Sequence, residues 1–411
     1  ARRVADGLLE PVDVESEWLV RQAEELVDPE RIRDNVQRLR QAINADPRDA
    51  LAWVEQARMY TLVGQRRPAE RAMTRALALA PNHRFLLRAA TRLWIHLGDP
   101  QQAQAVLLSS PRTTGDPWLM ASEIAVGSFA GRSSPLIRTA RKLLADRAWS
   151  DRDLTELAGA LGTVELEAGK STRARDLFRA SLTDPNENSL AQAEWAAPSV
   201  SGVRSFLGRA REQTPRSFEA HSRAAAAAAD HTTAVREAWS WLLDQPFSSD
   251  PASFGSYHAA LTRDFQRSLE FARRGLQANP GMPLLLNNAA FALAQANKPA
   301  EAAAYIDQVK HFEELGAEQR AMIFATKGLI AFRAGRPDVG RELYLVAIAT
   351  AEIPSTRALA SLMFATELTR LHAPGSKEAA RQAASEVTRH IPRPHQAWLG
   401  YLAAHDPRND G

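Results

Sequence analysis

The stretch WVEQARMYTLVG, residues 53–64, places Trp53, Ala57, Tyr60 and Gly64 at intervals of four, three and four. These intervals put the four residues on one face of an α-helix that ends at the glycine. Two large aromatic side chains and a small one on the same face are typical of a surface that packs against another helix. The stretch therefore predicts a packing seam rather than a catalytic site.

Elements of this pattern recur along the chain with a period of thirty-four residues. Pro47 and Pro81 are separated by this interval, and so are Pro246 and Pro280. Small residues follow the same period in two distant blocks: Ala69 and Ala103, then Ala234, Ser268 and Ala302. A period shared by separate parts of one chain indicates an array of units in which each unit packs on its neighbours.

Each unit has the plan of two helices joined by a turn. In residues 50–83, Ala57 lies on the first helix, Gly64 ends it, Ala69 begins the second helix and Pro81 stops it. The small side chains of Ala57 and Ala69 allow two antiparallel helices to approach closely. Residue types and spacing together resemble the tetratricopeptide repeat (TPR), a helix–turn–helix unit. The resemblance implies an all-α fold, a right-handed superhelical solenoid of about ten antiparallel helix pairs.

The repeat accounts for nearly the whole chain. We expect an N-terminal extension at residues 1–15, the solenoid at 16–394, and a C-terminal capping helix with a tail at 395–411. The solenoid contains two blocks in which the pattern is well phased and two in which it is degenerate: 16–111 and 215–316, then 112–150 and 189–214. Because repeat arrays are held together by neighbour contacts, we predict that the degenerate stretches open most readily.

No pattern in the chain is typical of an enzyme or a metal site. The absence of cysteine excludes disulfides, thiolate catalysis and cysteine-based zinc sites. The ten histidines include no pair at the i, i+4 spacing that favours metal binding on a helix. The fragment AGKST, residues 168–172, matches only the end of a phosphate-binding loop, because Val164 stands where that motif has its first glycine. We therefore predict a non-enzymatic protein without a cofactor or a metal.

A TPR-like solenoid is expected to present a concave groove lined by the first helix of each unit. The resemblance assigns two sets of side chains to this groove: Arg58, Phe85, Arg88, Arg92 and His96, then Asn287, Asn288, Phe291 and Gln295. Guanidinium groups can grip carboxylates, and amides can hydrogen-bond a peptide backbone. The predicted partner is a protein or an extended peptide, acidic where it meets the arginines. The alternative is that these side chains form only a solvated face.

Composition and charge limit the kinds of partner and the cellular compartments that fit this chain. The net charge is only +3 and no run of like charges occurs, which argues against a nucleic-acid partner. The bias toward arginine and alanine is typical of a GC-rich bacterial genome. No apolar run is long enough for a membrane span, and the first eighteen residues lack a hydrophobic signal segment. These features favour the cytoplasm, and the periplasm stays open if a signal peptide has been removed. The oligomeric state is left undecided.

The resulting hypothesis is a non-catalytic scaffold that binds a protein or peptide in its concave groove. Two alternatives stay open. Because the chain begins at Ala1 rather than at Met, it is expected to be a processed form or a piece of a larger protein. It could then be the sensor or regulatory module of a bacterial effector or complex whose catalysis lies in another domain or subunit. The other alternative is a periplasmic scaffold for envelope or polysaccharide assembly.

Overall fold

The computed structural model describes residues 28–146 and 148–403. Within these ranges the chain forms twenty-two α-helices and three short 3₁₀ helices, and no β-strand occurs. The predicted all-α class is confirmed. The expected N-terminal extension at 1–15, the beginning of the first expected unit and the chain beyond residue 403 lie outside the described residues.

The α-helices are named in chain order. The first eleven are α1 Pro29–Ala45, α2 Ala50–Leu62, α3 Arg66–Leu79, α4 Arg84–His96, α5 Pro100–Ser109, α6 Pro117–Phe129, α7 Ile137–Asp146, α8 Asp151–Glu167, α9 Ser171–Ser181, α10 Glu187–Ala196 and α11 Arg204–Gln213. The others are α12 Phe218–Ala227, α13 His231–Asp244, α14 Ser249–Leu261, α15 Phe265–Ala278, α16 Pro283–Gln295, α17 Pro299–Ile306, α18 Ala317–Arg333, α19 Pro337–Thr350, α20 Pro354–Arg370, α21 Ser376–His390 and α22 Gly400–Ala403. The 3₁₀ helices are Pro111–Thr114, Phe312–Glu314 and Arg393–Leu399.

Local sequence explains where many of these helices begin and end. The Asp49 carboxylate accepts hydrogen bonds from the backbone N–H groups of Leu51 and Ala52, which caps the start of α2. At the end of α2, Gly64 adopts a left-handed conformation with φ of +66°, and Gly98 does the same after α4 with φ of +74°. The AGKST fragment contains the equivalent turn, between α8 and α9, so no strand precedes it. The fragment is therefore an inter-helix turn and not a phosphate-binding loop.

Consecutive helices from α2 to α21 pack as antiparallel pairs, and within most of the array successive first helices also contact each other. The seam between α2 and α3 contains Ala57 and Ala69, whose side chains are buried. Tyr60 is buried beside them. Trp53 is only partly buried, and its indole N–H donates to the carbonyl of Pro47 at 3.1 Å. Residues 53–64 therefore form a packing seam, in which the small residues and Tyr60 are more deeply buried than Trp53.

The N-terminal end of the array meets helices far along the chain. Helix α2 contacts α15, and Ile32, Met59 and Leu62 form an apolar cluster with Phe247. The turn at Gly64 lies against Pro280, so close that a Cβ atom at Gly64 would be 2.8 Å from the Pro280 Cδ. We call the packing of α2 and its turn against α15 and the turn at Pro280 the closure contact. It encloses the concave surface of the N-terminal half.

The C-terminal residues 391–403, here called the strap, differ from the expected capping helix. They form the 3₁₀ helix Arg393–Leu399 and the single turn α22 instead of one continuous α-helix. The junction between them is at Gly400, and glycine is a poor helix former. The strap does not only cover the last pair; it crosses the concave surface back to α14. There the Tyr401 hydroxyl donates to the carbonyl of Ala260 at 2.6 Å.

Candidate binding clefts on the concave surface

Five of the predicted groove residues line one cleft of about 330 Å³, the N-terminal cleft: Arg58, Phe85, Arg88, Arg92 and His96. They come from α2 and α4, which present the same face because the units repeat. The far wall is formed by Asp244 and Phe247, at the end of α13 and in the loop that follows. The closure contact therefore turns a groove that was expected to be open into a cleft with two walls.

Arg88 is already engaged inside the N-terminal cleft. Its guanidinium lies 3.0 Å from a carboxylate oxygen of Glu156 and 5.0 Å from the ring centroid of Trp118. The same carboxylate accepts hydrogen bonds from the side-chain amides of Asn186 and Asn188, at 3.0 Å and 2.7 Å. Glu156 is buried, so its charge is compensated by three donors on α4 and around the start of α10. Arg88 holds this network together and is not free for a partner.

The other two arginines differ in their surroundings. Arg58 pairs with Glu55 one turn earlier on α2, at 3.3 Å. Arg92 makes no direct ion pair with any residue between 28 and 146 or between 148 and 403. Although Arg92 faces solvent in the cleft, partial burial by the cleft walls and then the charge of Arg88 lower its pKa, against the opposing effect of Glu156 and Asp244. Arg92 is thus the arginine of the cleft that an incoming carboxylate would neutralise.

The remaining residues give the N-terminal cleft apolar and neutral surfaces. Phe85 is 52% exposed, an unusual state for a phenylalanine in a folded protein. Burial, and next the nearby charge of Arg66, lowers the pKa of His96, so its imidazole is neutral at pH 7. It packs edge-on against Phe247 with 5.8 Å between ring centroids. Burial raises the pKa of Asp244.

The second set of predicted groove residues, on α16, lies near a different cavity of about 480 Å³, here called the strap cavity. Its walls come from α14, α16, α18 and α20, with Ser268 of α15, and the strap covers it. Asn287, Asn288 and Phe291 line this cavity, as their positions on α16 predict. Gln295 does not, because its side-chain oxygen accepts a hydrogen bond from Arg333 at 3.3 Å on the neighbouring first helix. The predicted groove residues therefore lie in two separate cavities, apart from Gln295.

Sequence reasoning missed the residues that tie the strap down. The Trp398 indole donates to the Tyr257 hydroxyl at 3.0 Å, and His231 Nε2 lies 2.7 Å from the carbonyl oxygen of Pro394. His231 also meets His258, with 3.1 Å between their Nδ1 atoms. The only sequence signal was the aromatic and histidine content of residues 395–401, which does not reveal where this segment docks.

The contacts of His231 set one proton position. Since the Pro394 carbonyl can only accept, Nε2–H of His231 donates to it, and the close Nδ1 atoms of His231 and His258 share one further proton between them. Burial lowers the pKa of His258 to about 3, and the charges of His231 and His395 act in the same direction. In the described part of the chain, no group of three or more His, Asp or Glu side chains is arranged to hold a metal ion.

Comparison with known proteins adds little to this geometry. No family model matches the chain, and no curated protein sequence matches it. Among solved structures, it is similar to yeast Tom70, with 12% identity, a TM-score of 0.35 and coverage of 96% of this chain and 95% of that one. It is also similar to the APC/C hetero-tetramer Cut9–Hcn1, with 11% identity, a TM-score of 0.44 and coverage of 95% and 85%. Both likenesses are too weak to carry an argument. None of the helices in the described ranges has the length and apolar character needed to cross a bilayer.

Proposed function

We propose that this chain is a non-catalytic interaction scaffold that binds an acidic segment of a protein partner in its N-terminal cleft. The observation that carries the proposal is the placement of Arg92, which has no direct ion pair with a described residue, in the same cleft as the exposed ring of Phe85. A guanidinium that lacks a carboxylate partner and an adjacent apolar anchor are the two elements of a small hot spot. Together they select a carboxylate next to an apolar side chain.

The neighbouring charges limit how acidic this partner can be. Arg58 and Arg88 are paired with Glu55 and Glu156, so only one of the three arginines in the cleft has no direct ion pair with a described residue. A run of carboxylates would also lie near Glu55 and Asp244, which line the cleft, and would be repelled. The proposed ligand is therefore a segment with one or two acidic residues. Leu51, which precedes Phe85 by one repeat length, is also 53% exposed.

The proposal is tested by capture of a partner from a lysate of the source cells. A photo-reactive phenylalanine analogue at position 85 is expected to crosslink to the partner, whereas the same analogue at Leu345, 53% exposed on α19, is not. Reversing the charge of the free arginine (Arg92→Glu) should reduce capture by about tenfold to a hundredfold, the value of a charge-assisted hydrogen bond of ~1.5–3 kcal/mol.

The matched control is Arg75→Glu on α3, an exposed arginine outside the cleft, which should leave capture unchanged. Both variants should retain the helicity and melting temperature of the parent, since both side chains are exposed. Equal capture by Arg92→Glu and Arg75→Glu, or equal crosslinking from positions 85 and 345, would show that the partner binds elsewhere.

A further inference from the structure

The strap cavity has an uncharged lining. No Asp, Glu, Lys or Arg occurs among the described residues that form its walls. Most of the surface is apolar and is supplied by long or aromatic side chains: Leu284, Phe291, Met322, Leu359, Met363 and Trp398. The cavity of about 480 Å³ lies within the size range of small-molecule sites, which is ~300–1,000 Å³. This combination favours a ligand that is apolar and carries no charge.

Two polar atoms in the same walls have no partner. The side-chain oxygen of Asn287 is buried in a residue that is 8% exposed, and it accepts no hydrogen bond from any described residue. The buried hydroxyl of Ser253 likewise has no partner among them. Each such group costs ~1–3 kcal/mol if it stays unsatisfied, so native proteins rarely leave two of them in one cavity. Asn287 needs an N–H or O–H donor, and Ser253 can either donate or accept.

We propose that the strap cavity binds an uncharged small molecule with a mainly apolar body, one N–H or O–H of which donates to the side-chain oxygen of Asn287 after the amide turns toward the cavity. The hydroxyl of Ser253 reaches the same polar end of the ligand by rotation of its side chain. The rings of Phe291 and Trp398, whose centroids are 6.2 Å apart, pack on its apolar body. This site is separate from the N-terminal cleft and does not depend on the partner proposed for it.

The strap explains why the ligand is a small molecule rather than a peptide. Pro394, Trp398 and Tyr401 are each hydrogen-bonded to α13 or α14, so the strap closes the groove at the end through which an extended chain would leave. The one imidazole in the lining, His395, is neutral at pH 7 because burial, and then His231, lowers its pKa.

A pair of fluorescent probes tests the site directly. N-phenyl-1-naphthylamine is uncharged, apolar and carries a single N–H, and 8-anilino-1-naphthalenesulfonate is the same framework with a sulfonate. The uncharged probe should bind the protein saturably, one molecule per chain, with a rise in fluorescence. Filling the cavity by Ala325→Trp on α18 should abolish this binding. The matched control is Ala89→Trp, which fills the N-terminal cleft and should leave it unchanged.

Two further measurements address the polar group and the charge. Asn287→Leu, which keeps the size of the side chain but removes the acceptor, should weaken the uncharged probe by about three- to tenfold. The part of the sulfonate probe's fluorescence that disappears in Ala325→Trp reports its binding in the strap cavity. The affinity obtained from this part should be at least about tenfold weaker than that of the uncharged probe, because an unpaired charge is costly to bury. If Ala325→Trp lowers the helical content, Leu359→Trp on α20 fills the same cavity from the opposite wall.

Three results would overturn the proposal: no saturable binding of the uncharged probe, binding that survives both tryptophan substitutions in folded protein, or equal affinity for the sulfonate at the same site. Unchanged affinity in Asn287→Leu would remove the assigned role of Asn287. Since Ala89→Trp blocks only the N-terminal cleft, loss of probe binding there would place the probe in the wrong cavity and also count against the proposal.

Discussion

The closure contact can be tested with two glycines that occupy equivalent places. Gly64 and Gly98 are thirty-four residues apart, end the first helices α2 and α4, and both have positive φ, +66° and +74°. A Cβ atom at Gly64 would lie 2.8 Å from Cδ and 2.9 Å from Cγ of Pro280, whereas at Gly98 nothing lies within 4 Å. The substitutions Gly64→Ala and Gly98→Ala therefore have the same local cost and differ only in the closure contact.

The two costs can be estimated separately. An L-residue in the left-handed region costs ~1–2 kcal/mol, and this applies to both alanines. Contacts under 3.0 Å against a rigid proline ring force the two turns apart, which adds an overpacking cost of ~1–3 kcal/mol at Gly64 only. We expect Gly98→Ala to lower stability by ~1–2 kcal/mol and Gly64→Ala by ~2–5 kcal/mol.

Native-state hydrogen exchange is the suitable assay, since it reports opening segment by segment where an array does not unfold in one step. In Gly64→Ala, amides of both α2 and α15 should exchange faster, although α15 is remote in sequence; in Gly98→Ala, α15 should be unchanged. Combining Gly64→Ala with Pro280→Ala should remove the excess cost. Equal destabilisation by the two glycine substitutions, with no effect on α15, would refute the closure contact.

Three further expectations follow from the packing. Ala69→Leu should destabilise the α2–α3 seam by ~1–3 kcal/mol in chemical denaturation, because Ala69 has no exposed surface, whereas Arg71→Leu on the outer face should have little effect. Trp398→Ala should cost ~3–5 kcal/mol locally and speed hydrogen exchange in α14 but not in α2. The folded-state pKa of His258, about 3, lies below its unfolded value of 6.5, so the unfolded chain binds more protons between these values. Stability should therefore fall as the pH drops through this range, and His258 should contribute up to ~1.4 kcal/mol per pH unit to the loss. Chemical denaturation at pH 7.5 and at pH 5 measures this loss. The difference in stability between the two pH values should be smaller in His258→Gln than in the exposed control His83→Gln.

The helix pairs could be predicted because their determinants are local. Ala57 and Ala69 face each other across a short turn, and a glycine recurs at the same place in successive units, so the period is visible in the sequence. The groove positions on α2, α4 and α16 follow from the same period. Whether the degenerate stretches 112–150 and 189–214 open first stays a prediction, which the hydrogen-exchange experiment also tests.

The contacts that make the two sites could not be predicted in this way. The pairing of Arg88 with Glu156 spans sixty-eight residues, and the periodicity gives the face of each helix but not which acid lies opposite. The closure of α2 on α15 depends on the accumulated rotation of all the pairs between them, and small errors for each pair add up. The strap returns through side-chain bonds of Trp398 and Tyr401, which follow no repeat.

The closure contact also determines how the molecule carries a mechanical load. An open solenoid pulled at its ends extends like a coil spring, because tension passes through every unit in turn. Here α2 touches α15 directly, so part of the tension bypasses the helices between them. The strap provides a second bypass, from α21 to α14. The helices in the middle of the array are therefore not stretched until the closure contact and the strap contacts break. We expect the protein to be stiff under small forces and to extend only after these contacts have broken.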